Sequence, residues 1–195
     1  MTKPTKMTEL EAVNVLLTTI GEAPVNTLTG NQVTDVTIAR QVLNEVSREV
    51  QSQGWYFNTE NGVTLTPDNN KHILPPADTA RIDSRDYNIV IREDKLFDLD
   101  DFTYEFGGSI KVNIVYYQDF TVLPDAAKRY IAARAARIYA DRLLNSETIH
   151  AMTSKDERQA LVDLRQFEEE TADYTMMDSY AVSRITNRGF RRRIL

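Results

Sequence analysis

The chain has 195 residues, 42% of them hydrophobic and 27% charged, which is enough to bury one sizeable core or two small ones. It has no cysteine, which excludes disulfides, thiolate chemistry and zinc sites built on sulfur. No apolar run approaches the roughly 20 residues that span a bilayer, and residues 1–17 do not match a secretory signal. We therefore expect a soluble protein from a reducing compartment, or from a particle assembled there, with no membrane partner.

Two helices are predicted at the start of the chain. Thr8 and Glu11 match an S/T-x-x-E capping box, apolar residues follow at helical spacing, and Gly21 and Pro24 end this first helix. A second amphipathic helix is predicted over about residues 33–53, with Gly54 in the position that commonly terminates a helix.

The pattern changes to strands between residues 62 and 117. Short segments rich in β-branched and aromatic residues are separated by Pro, Gly, Asn and Asp: VTLT, HILP, YNIVI, KLFDL and IKVNIVYY. The last of these alternates, with Ile110, Val112, Ile114 and Tyr116 on one face, as in a strand with one buried side. Gly107-Gly108 is interpreted as a hairpin turn, and the region as a small antiparallel sheet.

Two further helices are predicted near the end of the chain. The third lies in LPDAAKRYIAARAARIYADRLLN, with Pro124 in its first turn and an alanine-rich stripe that allows close helix packing. The fourth is predicted to begin near Ser154, in a capping box with Glu157, and to end around Tyr174. The order predicts an α+β fold: a bundle of helices from both ends of the chain (1–60 and 121–175), an inserted antiparallel β-rich domain (61–120) and an extended tail (176–195).

Few residues suggest catalysis. His72 and His150 lie in different segments without a helical metal-binding partner, so we interpret both as solvated or loop histidines. The sequence has neither a G-x-S-x-G motif nor a phosphate-binding glycine loop. The acidic clusters at 93–101 and 168–170 are interpreted as solvated faces. We predict no catalytic residue, no cofactor and no metal site.

The aromatic stretch GWYFN, residues 54–58, allows two interpretations. Tryptophan and tyrosine are enriched in stacking platforms and interfaces. Alternatively the stretch packs the junction between the helices and the sheet, which we favour because the chain changes structural type there.

Three motifs in a fixed order carry a resemblance to a known family. They are Ile20-Gly21-Glu22 with Pro24 and Val25, then Gly54-Trp55 with Phe57 and Asn58, then Leu65 with Pro67 and Asp68. In this respect the chain resembles the tail tubular protein A family of short-tailed bacteriophages (podoviruses), most clearly over residues 10–68. The later strand, acidic-Pro turn and helix also fit.

The resemblance implies a structural virion protein. Family members form a dodecameric ring below the portal, the adaptor (head-tail connector) to the tail nozzle protein, tail tubular protein B, and the genome is ejected through the lumen. Such a protein is synthesised in the bacterial host cytoplasm. The motif residues Gly21, Pro24, Gly54, Trp55 and Phe57 are expected to determine the fold, and none carries a transferable catalytic role.

The closing segment departs from this resemblance. Residues 176–195 contain five arginines and one aspartate, a net charge of +4. Because the whole chain has a net charge of −6, residues 1–175 have a net charge of −10. The tail interleaves these charges with apolar residues, which favours docking on a protein, namely the portal. The candidate docking residues are Tyr180, Arg184, Ile185, Arg188, Phe190, Arg191, Arg192 and Arg193. The alternatives are a tail-associated carbohydrate or cell-wall hydrolase, and a nucleic-acid-binding protein that the acidic body disfavours.

Overall fold

The computed structural model describes residues 5–29 and 34–171. Within those ranges the chain is α+β, with four α-helices and two small antiparallel sheets, which confirms the predicted class. The helices are α1 (Glu9–Thr19), α2 (Thr34–Gln51), α3 (Asp125–Leu144) and α4 (Glu147–Thr171). The strands are β1 (Thr59–Leu65), β2 (Thr79–Ser84), β3 (Ile89–Arg92), β4 (Lys95–Asp98) and β5 (Ile110–Tyr116), and a 3₁₀ turn, Tyr56–Asn58, precedes β1.

Helix α1 has a defined hydrogen-bonded motif at each end. At its start the Glu11 amide donates to Thr8 Oγ1 (3.2 Å) and the Thr8 amide donates to Glu11 Oε2 (2.7 Å), which confirms the capping box. At its end the amides of Gly21 and Glu22 donate to the carbonyls of Thr18 and Leu17, the Schellman arrangement, with Gly21 at φ +86°.

The main core lies between the helices. Helix α3 contacts α1, α2 and α4, and its small buried residues, among them Ala132, Ala135 and Ala136, allow the neighbouring helices to approach closely. The same core takes in Trp55, Phe120 and Leu123 from the segments next to the helices.

Two helix starts differ from the sequence prediction. Helix α3 begins at Asp125, so Pro124 is its N-cap residue, not a member of its first turn. Helix α4 begins at Glu147, seven residues before the predicted start at Ser154. The predicted capping box is wrong because Ser154 lies inside α4, where the backbone amides are already bonded within the helix, and Glu157 instead pairs with arginines of α3.

The three-stranded sheet is built around β5, which pairs antiparallel with both β1 and β2. Strands β3 and β4 form a separate two-stranded hairpin. Two expectations were wrong, and one strand was missed. HILP is not a strand, since Pro75 and Pro76 lack the amides that a ladder needs. Strand β2 was not predicted because TARIDS has only weak alternation. Gly107-Gly108 does not join a hairpin, because β4 and β5 belong to different sheets.

A second core lies against the sheet. The predicted inner face of β5 is buried at Ile110, Val112 and Ile114, which pack with residues from the surrounding segments: Ile73, Ile82, Ile89, Leu96 and Phe106. Val115, on the opposite face of β5, is also buried. No helix in the described part of the chain is long and apolar enough to cross a membrane.

Candidate assembly surfaces

The GWYFN stretch packs where α2 meets the sheet. Trp55 is 7% exposed and its Nε1 donates to the Val50 carbonyl (2.7 Å), while Phe57 packs partly buried against the helix core. Tyr56 is 55% exposed. Gly54 has φ +79°, and a Cβ there would lie 3.0 Å from Arg81 Nη2 and 3.1 Å from Val115 Cγ2. Gly54 therefore meets two demands, a left-handed backbone and a close approach.

Three buried or half-buried amide side chains, which we call the junction network, fix this meeting point: Gln51, Asn58 and Gln118. Gln51 is 2% exposed; its Nε2 donates to the Gln118 carbonyl (3.0 Å) and its Oε1 accepts from the Gln118 amide (2.7 Å). Asn58 Nδ2 donates to the carbonyls of Gln51 and Tyr116 at 2.9 and 2.8 Å. The sequence reasoning missed the role of Gln51, although Gln51 and Ser47 lie four residues apart beside the apolar stripe of α2.

A chain of ion pairs links three helices. Arg134 of α3 donates to Glu49 of α2 (2.6 Å) and to Glu157 of α4 (2.7 Å). Arg137 of α3 also pairs with Glu157, and with Asp141 at 3.0 Å. These five residues, the ionic network, tie α2 and α4 to α3 by charge-assisted hydrogen bonds.

Burial and hydrogen bonding act against each other at Glu157, whose side chain is 12% exposed. Burial alone would raise the pKa of this carboxyl group, but the hydrogen bonds from Arg137 and Arg134 outweigh it and hold the pKa below its ordinary value. The hydrogen bond to Glu157 correspondingly raises the pKa of Arg137. Glu157 and Arg137 are therefore both charged at neutral pH.

His150 has partners that the sequence did not indicate. Its Nδ1 lies 2.9 Å from Asp141 Oδ1, and its Nε2 lies 3.3 Å from Ser154 Oγ. An Asp–His–Ser series of this kind is the arrangement used in nucleophilic catalysis. Here Ser154 lies inside α4, where backbone amides donate to carbonyls four residues earlier, so the adjacent amides are not free to hold an oxyanion.

The acidic cluster at 93–101 is not uniformly a solvated face, as the sequence suggested. Glu93 and Asp94 have φ of +51° and +58° and form the two-residue turn between β3 and β4. Asp98 is 5% exposed and accepts from the amides of Asp100 and Asp101 (2.9 and 3.4 Å), so it organises the next loop. Within the described residues no group of three or more His, Asp or Glu side chains could hold a metal ion.

The eight candidate portal-docking residues, Tyr180 to Arg193, lie outside the described residues. In the last described turns of α4, Glu168 Oε1 accepts from the Tyr56 amide (2.9 Å), so this part of α4 lies beside the junction of helices and sheet. Of the residues expected to determine the fold, Gly54, Trp55 and Phe57 lie together at that junction. Gly21 and the exposed Pro24 lie beyond α1.

The described residues form an α+β protein held together by inter-helix ion pairs and buried amide contacts. The family model described as tail tubular protein matches residues 10–174. The chain therefore belongs to the tail tubular protein family, a family of structural proteins of bacteriophage tails. It is 30% identical over 164 residues to tail tubular protein A of Klebsiella phage KP34, a match covering 82% of this chain and 87% of that relative.

Proposed function

We propose that this chain forms the adaptor ring between the portal and the tail nozzle of a short-tailed phage, with twelve copies around the channel through which the genome leaves. The observation that carries the proposal is the family match over residues 10–174, together with the similarity to a tail tubular protein A across most of both chains. The nozzle partner is a tail tubular protein B.

The proposed ring subunit has a helical bundle made from both ends of the chain, residues 1–60 and 121–175, with residues 61–120 as an inserted domain. Two observations support this division. Helix α3 contacts α1, α2 and α4, and the apolar residues of the sheet form a core cluster of their own. The bundle would form the ring wall and the insert would project from it.

The arginine-rich segment is proposed to dock on the portal. Its arginines would pair with carboxylates and Phe190 would fill an apolar niche on that partner. The charge reversal supports this, because residues 176–195 carry +4 after a body of −10. A negatively charged body around a channel would also repel the phosphate backbone, so that DNA passes without sequence-specific binding.

The test is assembly on the portal of the same phage. Full-length protein should bind portal rings and give a particle whose mass corresponds to twelve added copies, measured by native mass spectrometry. Deletion of residues 183–195 should abolish this binding and leave the melting temperature unchanged. A variant with Arg191, Arg192 and Arg193 replaced by lysine should keep part of the binding, since charge remains but the bidentate geometry is lost. Undiminished assembly of the deletion variant would refute portal docking by the tail.

A tail-associated carbohydrate or cell-wall hydrolase is the second candidate, and one observation favours it, the Asp141–His150–Ser154 series. The position of Ser154 inside α4 opposes it, because the neighbouring amides are bonded within the helix and cannot hold an oxyanion. Purified protein assayed on capsular polysaccharide and peptidoglycan should release no product. Product release that is lost on Ser154→Ala, or on Asp→Asn and Glu→Gln substitutions in residues 93–101, would establish the hydrolase instead.

A further inference from the structure

The outward side of helix α4 carries a row of positive charges, which we call the basic stripe. Its members recur at alternating spacings of four and three, which places them on one side of a helix: Ala151, Lys155, Arg158, Val162 and Arg165. All five are exposed. In the part of the chain that the structure describes, none of the three cations lies within ion-pair distance of a carboxylate. The stripe is therefore an uncompensated positive surface on an acidic body.

The acidic residues of the same turns of α4 lie off this stripe. Glu157 faces α3, where it binds two arginines. Asp156 lines an open groove over α3, between α1 and α4. Asp163 lies on the flank, roughly 100° around the helix axis from its neighbour Val162. Glu169 is the next residue of the spacing pattern, one turn beyond the last arginine of the stripe. Over its own length the stripe thus carries positive charge only.

The opposite charge is concentrated in residues 98–105, which we call the acidic loop. The loop contains four acidic residues and no lysine or arginine. Glu105 is compensated by Lys71, whose Nζ lies 3.5 Å from its carboxylate. Asp100 and Asp101 are exposed, and neither pairs with a cation among the described residues. Two carboxylates next to each other in the chain are therefore available to a basic partner.

The acidic loop also presents an aromatic side chain. Phe102 is 78% exposed, the largest exposed fraction among the large apolar side chains of the described residues. Backbone hydrogen bonds join Asp98 and Thr103 (2.9 and 3.3 Å), and Asn88 Nδ2 donates to Asp100 Oδ1 (3.0 Å). Because these bonds hold the loop in place, little conformational entropy would be lost when it docks.

The two surfaces complement each other in charge and in apolar character. On the stripe, Arg158 and Arg165 lie one turn to either side of Val162, which is 57% exposed. A phenyl ring resting on Val162 would have a guanidinium group on each side, and guanidinium groups are attracted to the faces of aromatic rings. The carboxylates that precede Phe102 would form charge-assisted hydrogen bonds with the same arginines. Within one copy both surfaces are exposed, so neither covers the other.

We infer that the acidic loop of one copy of this chain docks on the basic stripe of the next copy around the ring. Each copy carries both surfaces, on different elements, which makes the contact head-to-tail, the type of interface that closes into a ring. The inference rests on the proposed ring and adds which surfaces of neighbouring copies meet. The proposed channel supports it, since unpaired cations facing the lumen would bind the phosphate backbone and hold the genome back.

The first experiment reverses single charges in full-length protein and measures assembly on the portal of the same phage. Arg165→Glu and Asp101→Lys each place like charges across the contact, so each should raise the protein concentration for half-assembly by about tenfold or more. Combined in one chain, the two changes restore opposite charges at every contact, and that concentration should return to within about threefold of the value for the unmodified protein.

The control is Arg48→Glu, at an exposed position of α2, which changes the net charge by the same amount as Arg165→Glu and should leave assembly unchanged. Thermal unfolding of each variant checks that it folds, as expected for changes at exposed positions. Normal assembly of a folded Arg165→Glu protein would overturn the inference. A combined variant that assembled worse than either single variant would also overturn it, because the two surfaces would then meet other partners.

A second experiment separates this inference from the proposed function. The chain has no cysteine, so Val162→Cys in the stripe and Asp101→Cys in the loop can be combined and treated with a short thiol-specific cross-linker on assembled rings. A ladder of covalent oligomers, absent from either single variant, would support the contact. Rings that form but do not cross-link would overturn the contact while the adaptor function stands. Failure of the unmodified protein to form any ring on its portal would overturn both.

Discussion

The side-chain amide of Gln51 and the backbone of Gln118 are paired in both directions, Nε2 to carbonyl at 3.0 Å and amide to Oε1 at 2.7 Å, across 67 residues of sequence. One residue ends a helix of the main core and the other follows the central strand of the sheet. Through this buried side chain, helix α2 and the sheet are joined by directional bonds as well as by apolar packing.

Gln51→Leu should lower the free energy of unfolding by about 1–3 kcal/mol, because it leaves the amide and carbonyl of the half-buried Gln118 without their partner. The measurement is urea unfolding followed by circular dichroism. Gln41→Leu, at an exposed position of the same helix, is the matched control and should change stability little. If Gln51→Leu had the same free energy of unfolding as Gln41→Leu, the hydrogen bonds of Gln51 in the junction network would not contribute to stability.

Gly54→Ala should destabilise the protein more than Gly21→Ala. Both glycines have positive φ, +79° and +86°, so each substitution bears a left-handed backbone cost of roughly 1–2 kcal/mol. Only at Gly54 would the new methyl group also press on Arg81 and Val115, whereas nothing lies within 4 Å at Gly21. Melting temperatures of the two variants compare the effects directly, and an equal loss would show that the crowding at Gly54 is relieved without cost.

The stability of the helices should depend on pH through Glu157. Because its pKa lies below the ordinary carboxyl value in the folded protein, its contribution is fully present above the unfolded-state pKa, about 4.3, and is lost as pH falls through the folded-state pKa. Glu157→Gln should lower the melting temperature at pH 7 and reduce its decline between about pH 5 and 3. Glu169→Gln, at an exposed position of the same helix, should leave the dependence of the melting temperature on pH unchanged. If Glu157→Gln left the dependence of the melting temperature on pH unchanged, Glu157 would not be a source of that dependence.

Asp94→Gly should stabilise the β3–β4 hairpin. Asp94 has φ +58° in a two-residue turn that favours glycine, so the substitution should raise the free energy of unfolding by up to about 1 kcal/mol. Asp86→Gly, at an exposed loop position whose φ is not positive, should instead be neutral or destabilising. Urea unfolding would measure both, and a loss of stability in Asp94→Gly would mean that its side chain has a role in the turn.

Local signals in the sequence determined the helices and most of the strands. The Thr8–Glu11 capping box, the apolar periodicity of α1 to α3 and the alternation in β5 each depend on residues within a few positions of one another, and each is found as predicted. The order of these elements, with three spaced motifs, was sufficient to indicate the tail tubular protein family.

Tertiary structure decided what depends on residues far apart in the chain. Ser154 and Glu157 match a capping box, but arginines of α3 take up the glutamate and the helix begins at Glu147. TARIDS forms a strand by pairing with β5. Gln51 connects α2 to the sheet because its side chain accepts a hydrogen bond from the Gln118 amide. The exposure of Phe102 and the open groove over α3 likewise cannot be read from the sequence. Exposure and cavity shape arise from packing between elements, and no spacing along the chain encodes them.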